Sequence, residues 1–368
     1  MKINLLIATF LLSTLFVNAN EITLEWLKDK PRTYAKDFYI WQYLKQDISP
    51  DNAITALGQA NNVNNKLFYA YTKKLKHDET TAVMQCMRAK TSTLIKTNAD
   101  CLEAGLSVYD ITKLNSTQLE KAHNTLLKKY PKKTKIINII NAPIPFTKLI
   151  SSNNETFFAL FNNCGSNYRT KRFNYKLPSK TIKRLLKNKK FNQTIKLIVT
   201  NNNLKQLQKS LINIDDSNLT HRSSFLLAIN AIKQKNEEVA SKYLDNAYKK
   251  AYYQFDKDKV TFWKYLTTNH TANLFKLTQS WDVNIYSLYA KEFFDQKNKN
   301  IIYKINQEND DLVYENKDVT NPFFWIPILN NLNNLDEKKL FMHKQVLNNE
   351  ETTPHLAFIL ERYNHYRK

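Results

Sequence analysis

Apolar residues recur at spacings of three and four along most of the chain, which is the pattern of amphipathic helices. In the middle of the chain the apolar positions are Ile182, Leu185, Leu186, Phe191, Ile195 and Ile198. In the last segment, 356–368, they are Leu356, Ile359, Leu360 and Tyr363. The long alternation of apolar and polar residues that marks a half-buried strand is not found. The pattern therefore predicts an all-α fold.

Proline and hydroxyl residues predict where the first helices begin and end. Pro31 interrupts the apolar pattern of residues 21–46, so a short helix is predicted on each side of it. Ser49 or Asp51 can accept hydrogen bonds from the free amides of a first helical turn, and Pro50 presets the backbone of that turn. A third helix is therefore predicted to begin near Pro50.

Small residues at helical spacing predict two helices that approach closely after residue 223. Ala228 and Ala231 face a second group formed by Ala240, Leu244 and Ala247. This resembles the interior of tetratricopeptide repeats, although a strict period of about 34 residues is missing. The sequence therefore predicts a curved superhelix of stacked helical hairpins, tetratricopeptide-like in places, over residues 20–368.

The first nineteen residues have the features of a secretory signal peptide. Lys2 provides a positive start, residues 3–16 are mostly apolar, and Val17-Asn18-Ala19 supplies small residues for cleavage. The alternative is an uncleaved membrane anchor, but the apolar run is shorter than the roughly 20 residues that a spanning helix needs. We therefore expect cleavage after Ala19, export to a compartment outside the cytoplasm, and no membrane span in the mature protein.

Glycine is scarce, which narrows the classes of function. The chain has 3 glycines in 368 residues, whereas average usage of about 7% would give roughly 26. Nucleotide-binding loops and tight hairpins use glycine where the backbone takes a positive φ or approaches a ligand. The composition therefore favours helices joined by short polar turns, and no cofactor is predicted.

The charge balance is strongly basic. There are 55 lysines and arginines against 33 acidic residues, a formal net charge of +22. In an exported protein this favours anionic partners such as cell-wall polymer, phospholipid headgroups or extracellular DNA. Part of the excess has another explanation, since lysine, asparagine and isoleucine are all favoured by AT-rich codons. The basic run KRLLKNKK, residues 183–190, alternates with core positions, so we interpret it as a solvated helix face and expect no nucleic-acid partner.

Carboxylates and aromatic residues offer candidate chemistry, but the structural interpretation is favoured for both. The paired glutamates Glu237-Glu238 and Glu350-Glu351 lie near predicted helix starts, where negative charge favours the helix dipole. Seven aromatic residues invite comparison with sugar-stacking platforms, although most are predicted to be core: Trp263, Tyr265, Trp281, Tyr286, Phe323, Phe324 and Trp325. No metal site is predicted, and no catalytic residue is identified.

Four stretches of the chain resemble the amino-terminal superhelical region of soluble lytic murein transglycosylases. They are EITLEWLKDKPRTYAKDFYIWQYLKQDISPDNAITAL, QCMRAKTSTLIKTNADCLEAGLS, KAYYQFDKDKVTFWKYL and SWDVNIYSLYAKE. The FDKDKVTFWKYL and WDVNIYSLYAKE stretches are the most specific. The order of signal peptide, long helical region and final helix also fits that family.

The resemblance implies a function without supplying catalytic residues. In the family a lysozyme-like domain follows, and it cleaves the MurNAc–GlcNAc bond of peptidoglycan to leave a 1,6-anhydro end. Its Glu-Ser motif has no counterpart from Glu21 to Glu361, and Gly105 is followed by Leu106 without the rest of a Gly-Leu-Met-Gln motif. We therefore expect the chain to end within the helix that leads to such a domain.

The expected function is a periplasmic, monomeric scaffold that binds peptidoglycan glycan strands and is inactive as it stands. The alternative is a helical-repeat adaptor that binds proteins of the envelope. A third interpretation, an active glycosidase, needs an acid outside any known motif.

The three cysteines predict one disulfide. Cys86 and Cys101 lie at a spacing that two antiparallel helices can bridge, whereas Cys164 has no partner at a comparable distance. Closing a loop of about 15 residues is worth roughly 3 kcal/mol in the chain-entropy model. The alternative is two buried thiols.

We predict that Cys86 and Cys101 form the disulfide of the exported protein and that Cys164 stays a thiol. Peptide mapping without reduction checks this directly. A bridged peptide that contains Cys164 would show that the pairing is wrong.

Overall fold

The computed structural model describes residues 22–75 and 77–297, and every regular element in this part of the chain is a helix. The all-α prediction is therefore confirmed. The described residues divide into a first unit, 22–88, and a second unit, 89–297. The predictions for residues 1–19, 323–325, 350–351 and 356–368 fall outside the described residues.

The first unit consists of five helices. They are α1 Leu24–Lys28, α2 Tyr34–Tyr43, α3 Pro50–Gly58, α4 Asn65–Leu75 and α5 Asp78–Arg88. The break at Pro31 and the third helix at Pro50 are confirmed, and Ser49 Oγ accepts the hydrogen bond from the Asn52 amide. The core of this unit is formed by Leu27, Ile40, Tyr43, Leu44, Ala53, Ala56 and Leu67.

The second unit contains the remaining helices. They are α6 Thr91–Leu94, α7 Ala99–Gly105, α8 Val108–Ile111, α9 Ser116–Leu126, α10 Pro131–Ile140, α11 Pro145–Ser151, α12 Asn154–Asn163, α13 Ser166–Arg172, α14 Ser179–Leu186, α15 Phe191–Val199, α16 Lys205–Ser210, α17 His221–Lys233, α18 Glu237–Lys250, α19 Gln254–Thr268, α20 Thr271–Thr278 and α21 Ile285–Phe293. Within this unit, helices pack mainly against helices that are near them in the sequence.

The closest helix pair is the one predicted from small residues. Ala228 and Ala231 on α17 and Ala240 and Ala247 on α18 are completely buried, and the two helices form the most extensive contact in the unit. Small side chains let the two backbones approach, so this predicted contact is confirmed. The wider prediction of a curved superhelix stays a prediction.

Side-chain hydrogen bonds repeatedly join positions about one helical hairpin apart. In the second unit such bonds, at separations from 30 to 35 residues, link Thr194 with Asn162, Asn201 with Ser166, Leu177 with Ser210, Arg184 with Asn154, and Asn246 with Asp216. In stacked hairpins each repeat meets its neighbour at such a separation. The bonds therefore set the register between one hairpin and the next.

The basic run of residues 183–190 begins on a solvated helix face, as predicted, and continues into the turn that follows α14. Lys183, Lys187 and Lys189 are exposed, whereas Ile182 and Leu185 on the same segment are buried. No described helix has the length and apolar character needed to cross a membrane.

We predict that Ala231→Leu lowers the free energy of unfolding by about 1–3 kcal/mol, because the added atoms have no space between α17 and α18. Thermal and denaturant unfolding measure the change. Ala104→Leu is the matched control, since Ala104 is exposed on α7. Equal stability of the two variants would contradict the close approach of α17 and α18.

A second prediction concerns His221, which joins α17 to α19. Its Nε2 lies 3.6 Å from Asp256 Oδ2, while Lys259 Nζ lies 2.6 Å from Asp256 Oδ1. The Nδ1 atom of His221 is buried without a hydrogen-bond partner. Burial lowers the pKa of His221, the Asp256 carboxylate opposes the shift, and Lys259 and Arg222 add to it.

A lowered pKa means that the unfolded chain takes up a proton before the folded protein does, as the pH falls below about 6.5. We therefore expect the free energy of unfolding to decrease between about pH 7 and pH 5, with a smaller decrease in His221→Gln. Denaturant unfolding of both proteins at each pH gives the comparison. A variant that loses as much stability as the original protein would exclude His221 as the cause.

Candidate glycan-binding surface

The two stretches with the most specific family resemblance fold together in the second unit. FDKDKVTFWKYL forms most of α19, and WDVNIYSLYAKE forms the turn before α21 and most of α21 itself. A buried polar network and a group of aromatic rings connect them. The first holds the two helices in place, and the second reaches the surface.

Asp258 on α19 is the centre of the buried network. Its Oδ1 accepts a hydrogen bond of 2.7 Å from Gln254 Nε2. Its Oδ2 accepts from Ser280 Oγ at 2.6 Å and from Asn284 Nδ2 at 2.7 Å. The side chain is 3% exposed. A buried acid with several donors anchors the turn 280–284 on α19 and is poorly placed to give a proton to a substrate.

Asn284 connects Asp258 to the first turn of α21. While its Nδ2 donates to Asp258, its Oδ1 accepts from the Tyr286 and Ser287 amides at 3.0 and 3.2 Å. The Ser287 hydroxyl accepts from the Asn284 amide in return, which completes a capping box. One side chain thus caps α21 and joins it to α19, so the direction of α21 depends on Asp258.

Aromatic rings fill the space between α19 and α21. Phe262 lies 5.4 Å from Tyr286 and 5.3 Å from Tyr289, measured between ring centroids. Tyr265 contacts Phe293 at 6.5 Å, and Tyr289 stacks on Phe293 at 6.4 Å. These are ordinary separations for attractive aromatic pairs. The rings are therefore fixed in position before any ligand arrives.

The outer members of this group are exposed. Tyr289 is 44% exposed, Phe293 is 51% exposed, and Phe275 on α20 is 49% exposed. Phe275 is connected to Phe293 through Phe294, at 5.5 and 5.1 Å. We call Tyr265, Phe275, Tyr289 and Phe293 the aromatic surface. Contiguous exposed rings of this kind mark binding surfaces more often than isolated apolar residues do.

Of the predicted sugar-stacking residues, Tyr265 and Tyr286 belong to this group of rings, whereas Trp263 contacts Phe225 on α17. The sequence favoured buried core positions for most of these residues. The structure places four of them at intermediate exposure: Trp263, Tyr265, Trp281 and Tyr286. Sequence reasoning missed Phe275, Tyr289 and Phe293. The spacing of Tyr289 and Phe293, four residues apart on one helix, was the available signal.

Several acidic groups in the described residues have structural roles. Glu237 and Glu238 occupy the first turn of α18, where Asn236 caps the helix, as their sequence position predicted. The Lys132 ammonium lowers the pKa of Glu155, and hydrogen bonds from Lys129 and Tyr130 lower the pKa of Asp100. A glycosidic proton donor needs the opposite shift.

The cysteines play no part in this surface. Cys164 is a buried free thiol, and burial raises its pKa to about 11, although Arg169 opposes the shift. Such a thiol is unreactive at neutral pH. Cys86 and Cys101 belong to different units, and their disulfide stays a prediction. No cluster that could hold a metal ion is found in the described residues.

The comparisons with known proteins do not assign a family. No family model matches the chain, and no curated protein matches it. The similarity to lytic transglycosylases therefore depends on the sequence segments quoted above.

We predict that Asp258→Ala destabilises the protein by roughly 3 kcal/mol or more, because buried donors on Gln254, Ser280 and Asn284 lose their acceptor. Thermal unfolding measures this loss. Asp245→Ala is the control, since Asp245 is half exposed and pairs with Lys264 at the surface. If both variants unfold at the same temperature, Asp258 does not anchor α21.

Proposed function

We propose that the protein is a periplasmic, peptidoglycan-associated helical scaffold whose aromatic surface binds glycan strands. The observation that carries the proposal is the set of exposed rings on α20 and α21. Pyranose rings present apolar C–H faces, which pack against the faces of aromatic side chains. The rings are already fixed by their neighbours, so binding has little side-chain entropy to overcome.

The charge of the protein supports the same proposal. The net charge of +22 favours a polyanionic polymer, and peptidoglycan carries free carboxylates on its peptide stems. The family resemblance supports it as well, since the residues that carry the resemblance form α19 and α21. No catalytic residue is proposed, because the Glu-Ser motif of the family has no counterpart from Glu21 to Glu361.

A second candidate function is a helical-repeat adaptor for envelope proteins. One observation favours it: Ile285, Tyr289 and Phe293 lie four residues apart along α21, and all three are exposed. Such a stripe is the pattern that one amphipathic helix presents to another. A protein partner and a glycan strand would then compete for the same helix face.

Binding to purified sacculi separates the two functions, because sacculi contain no protein partner. We expect the protein to sediment with sacculi and to release no anhydro-muropeptides. Sedimentation should weaken as salt rises, because the screening length falls from about 10 Å at 0.1 M to about 3 Å at 1 M. Binding that does not respond to salt would show that the charge has no role. Released anhydro-muropeptides would contradict the proposal of an inactive scaffold.

Variants of the aromatic surface test which residues bind. Tyr289→Ala and Phe293→Ala should each lower the affinity for sacculi roughly fivefold, for a contact worth about 1 kcal/mol. Tyr34→Ala is the matched control, because Tyr34 is 76% exposed on α2 and outside the aromatic surface. Unchanged binding by both surface variants would exclude the aromatic surface as the glycan site. An adaptor would ignore sacculi altogether.

A further inference from the structure

A pocket lies in the second unit, on helices α10, α11 and α12. Its volume is about 440 Å³, within the range of small-molecule sites. It is lined by side chains from all three helices, and none of the lining residues is acidic. We call it the α10–α12 pocket. Neither the aromatic surface nor the polar network of Asp258 contributes a residue to it.

Two cations lie at this pocket and form no hydrogen bond or ion pair with the described part of the chain. Lys135 on α10 and Lys148 on α11 both line it, and both are exposed. Lys135 and Glu155 interact through their charges, but Lys132 Nζ holds that carboxylate at 2.8 Å. The two ammonium groups therefore remain available to an anionic ligand.

The remaining polar groups suit a ligand that also carries amides. Asn153 Oδ1 accepts from the Thr156 amide at 2.9 Å, so the NH₂ group of Asn153 remains a donor. The Ser151 and Ser152 hydroxyls donate to the backbone carbonyls of Thr147 and Leu149. Their oxygens can therefore accept from an N–H of a ligand. Asn138 adds a side-chain amide that is exposed.

This combination distinguishes a peptide from a simple anion. Two ammonium groups alone would not favour a carboxylate over phosphate. Amide donors and hydroxyl acceptors beside them match the C=O and N–H of a peptide bond, which phosphate lacks. We propose that the α10–α12 pocket binds the free carboxylate end of a short peptide, and specifically of the peptide stem on peptidoglycan. The choice of the stem as its source depends on the proposed function above.

Small probes test the chemistry of the pocket. Acetyl-alanyl-alanine, its C-terminal amide and inorganic phosphate are titrated into the purified protein, and binding is followed by NMR or calorimetry. We expect the free acid to bind at least roughly tenfold more tightly than the amide or phosphate, since only the free acid uses both sets of groups. Equal affinity of the acid and its amide, or of the acid and phosphate, would overturn the proposal.

Charge-matched variants place the binding in the pocket. Lys135→Gln and Lys148→Gln should each lower the affinity for the free acid roughly tenfold, because each removes one charge-assisted hydrogen bond. Lys121→Gln removes the same charge from an exposed position on α9 that does not line the pocket, so it should bind as the original protein does. Equal effects of all three variants would mean that the net charge, and not the pocket, is responsible.

Sacculi with and without peptides distinguish failure of this proposal from failure of the proposed function. We expect Lys135→Gln to weaken binding to intact sacculi and to leave binding to peptide-free glycan strands unchanged. If the original protein binds both polymers equally, the pocket does not recognise the stem, although the glycan scaffold stands. If it binds the probe but neither polymer, the pocket recognises peptide carboxylates from another source and the scaffold function fails.

Discussion

The packing of the second unit depends on side-chain hydrogen bonds that join positions 29 to 35 residues apart in the sequence. Tyr243 on α18 is a buried example, at 1% exposed. Its hydroxyl accepts from the Ile214 amide at 2.7 Å and donates to the Ile214 carbonyl at 3.0 Å. Because most of the helices are short, none of them is stable alone. Burial of apolar side chains holds neighbouring helices together but does not specify their register. These hydrogen bonds determine which turn of one helix contacts which turn of the next.

The position of the aromatic surface depends on a series of contacts between successive helices. The alanine contact places α18 against α17, and α18 supports α19. Asp258 then fixes the turn before α21 through Ser280 and Asn284. Tyr289 and Phe293 are exposed on α21, which begins where Asn284 caps it. The position of the aromatic surface therefore depends on the hydrogen bonds that join α21 to α19.

The sequence was sufficient for features that depend on local spacing. The all-α class, the helix start at Ser49 and the close approach at Ala228 and Ala231 were all predicted, because capping and helical periodicity involve residues a few positions apart. The Asp258 network and the α10–α12 pocket were not predicted. Asp258 meets Asn284 26 residues later, and the pocket needs three helices at fixed angles. Such contacts leave no periodic trace in a single sequence.

Amide hydrogen exchange, with and without peptide-free glycan strands, tests the central claim most directly. It reports which backbone segments become protected and needs no substitution. The account predicts added protection at α20 and α21, over residues 271–293, with little change in the first unit. Protection confined to residues 22–88, or no protection anywhere at a saturating concentration of glycan, would contradict it.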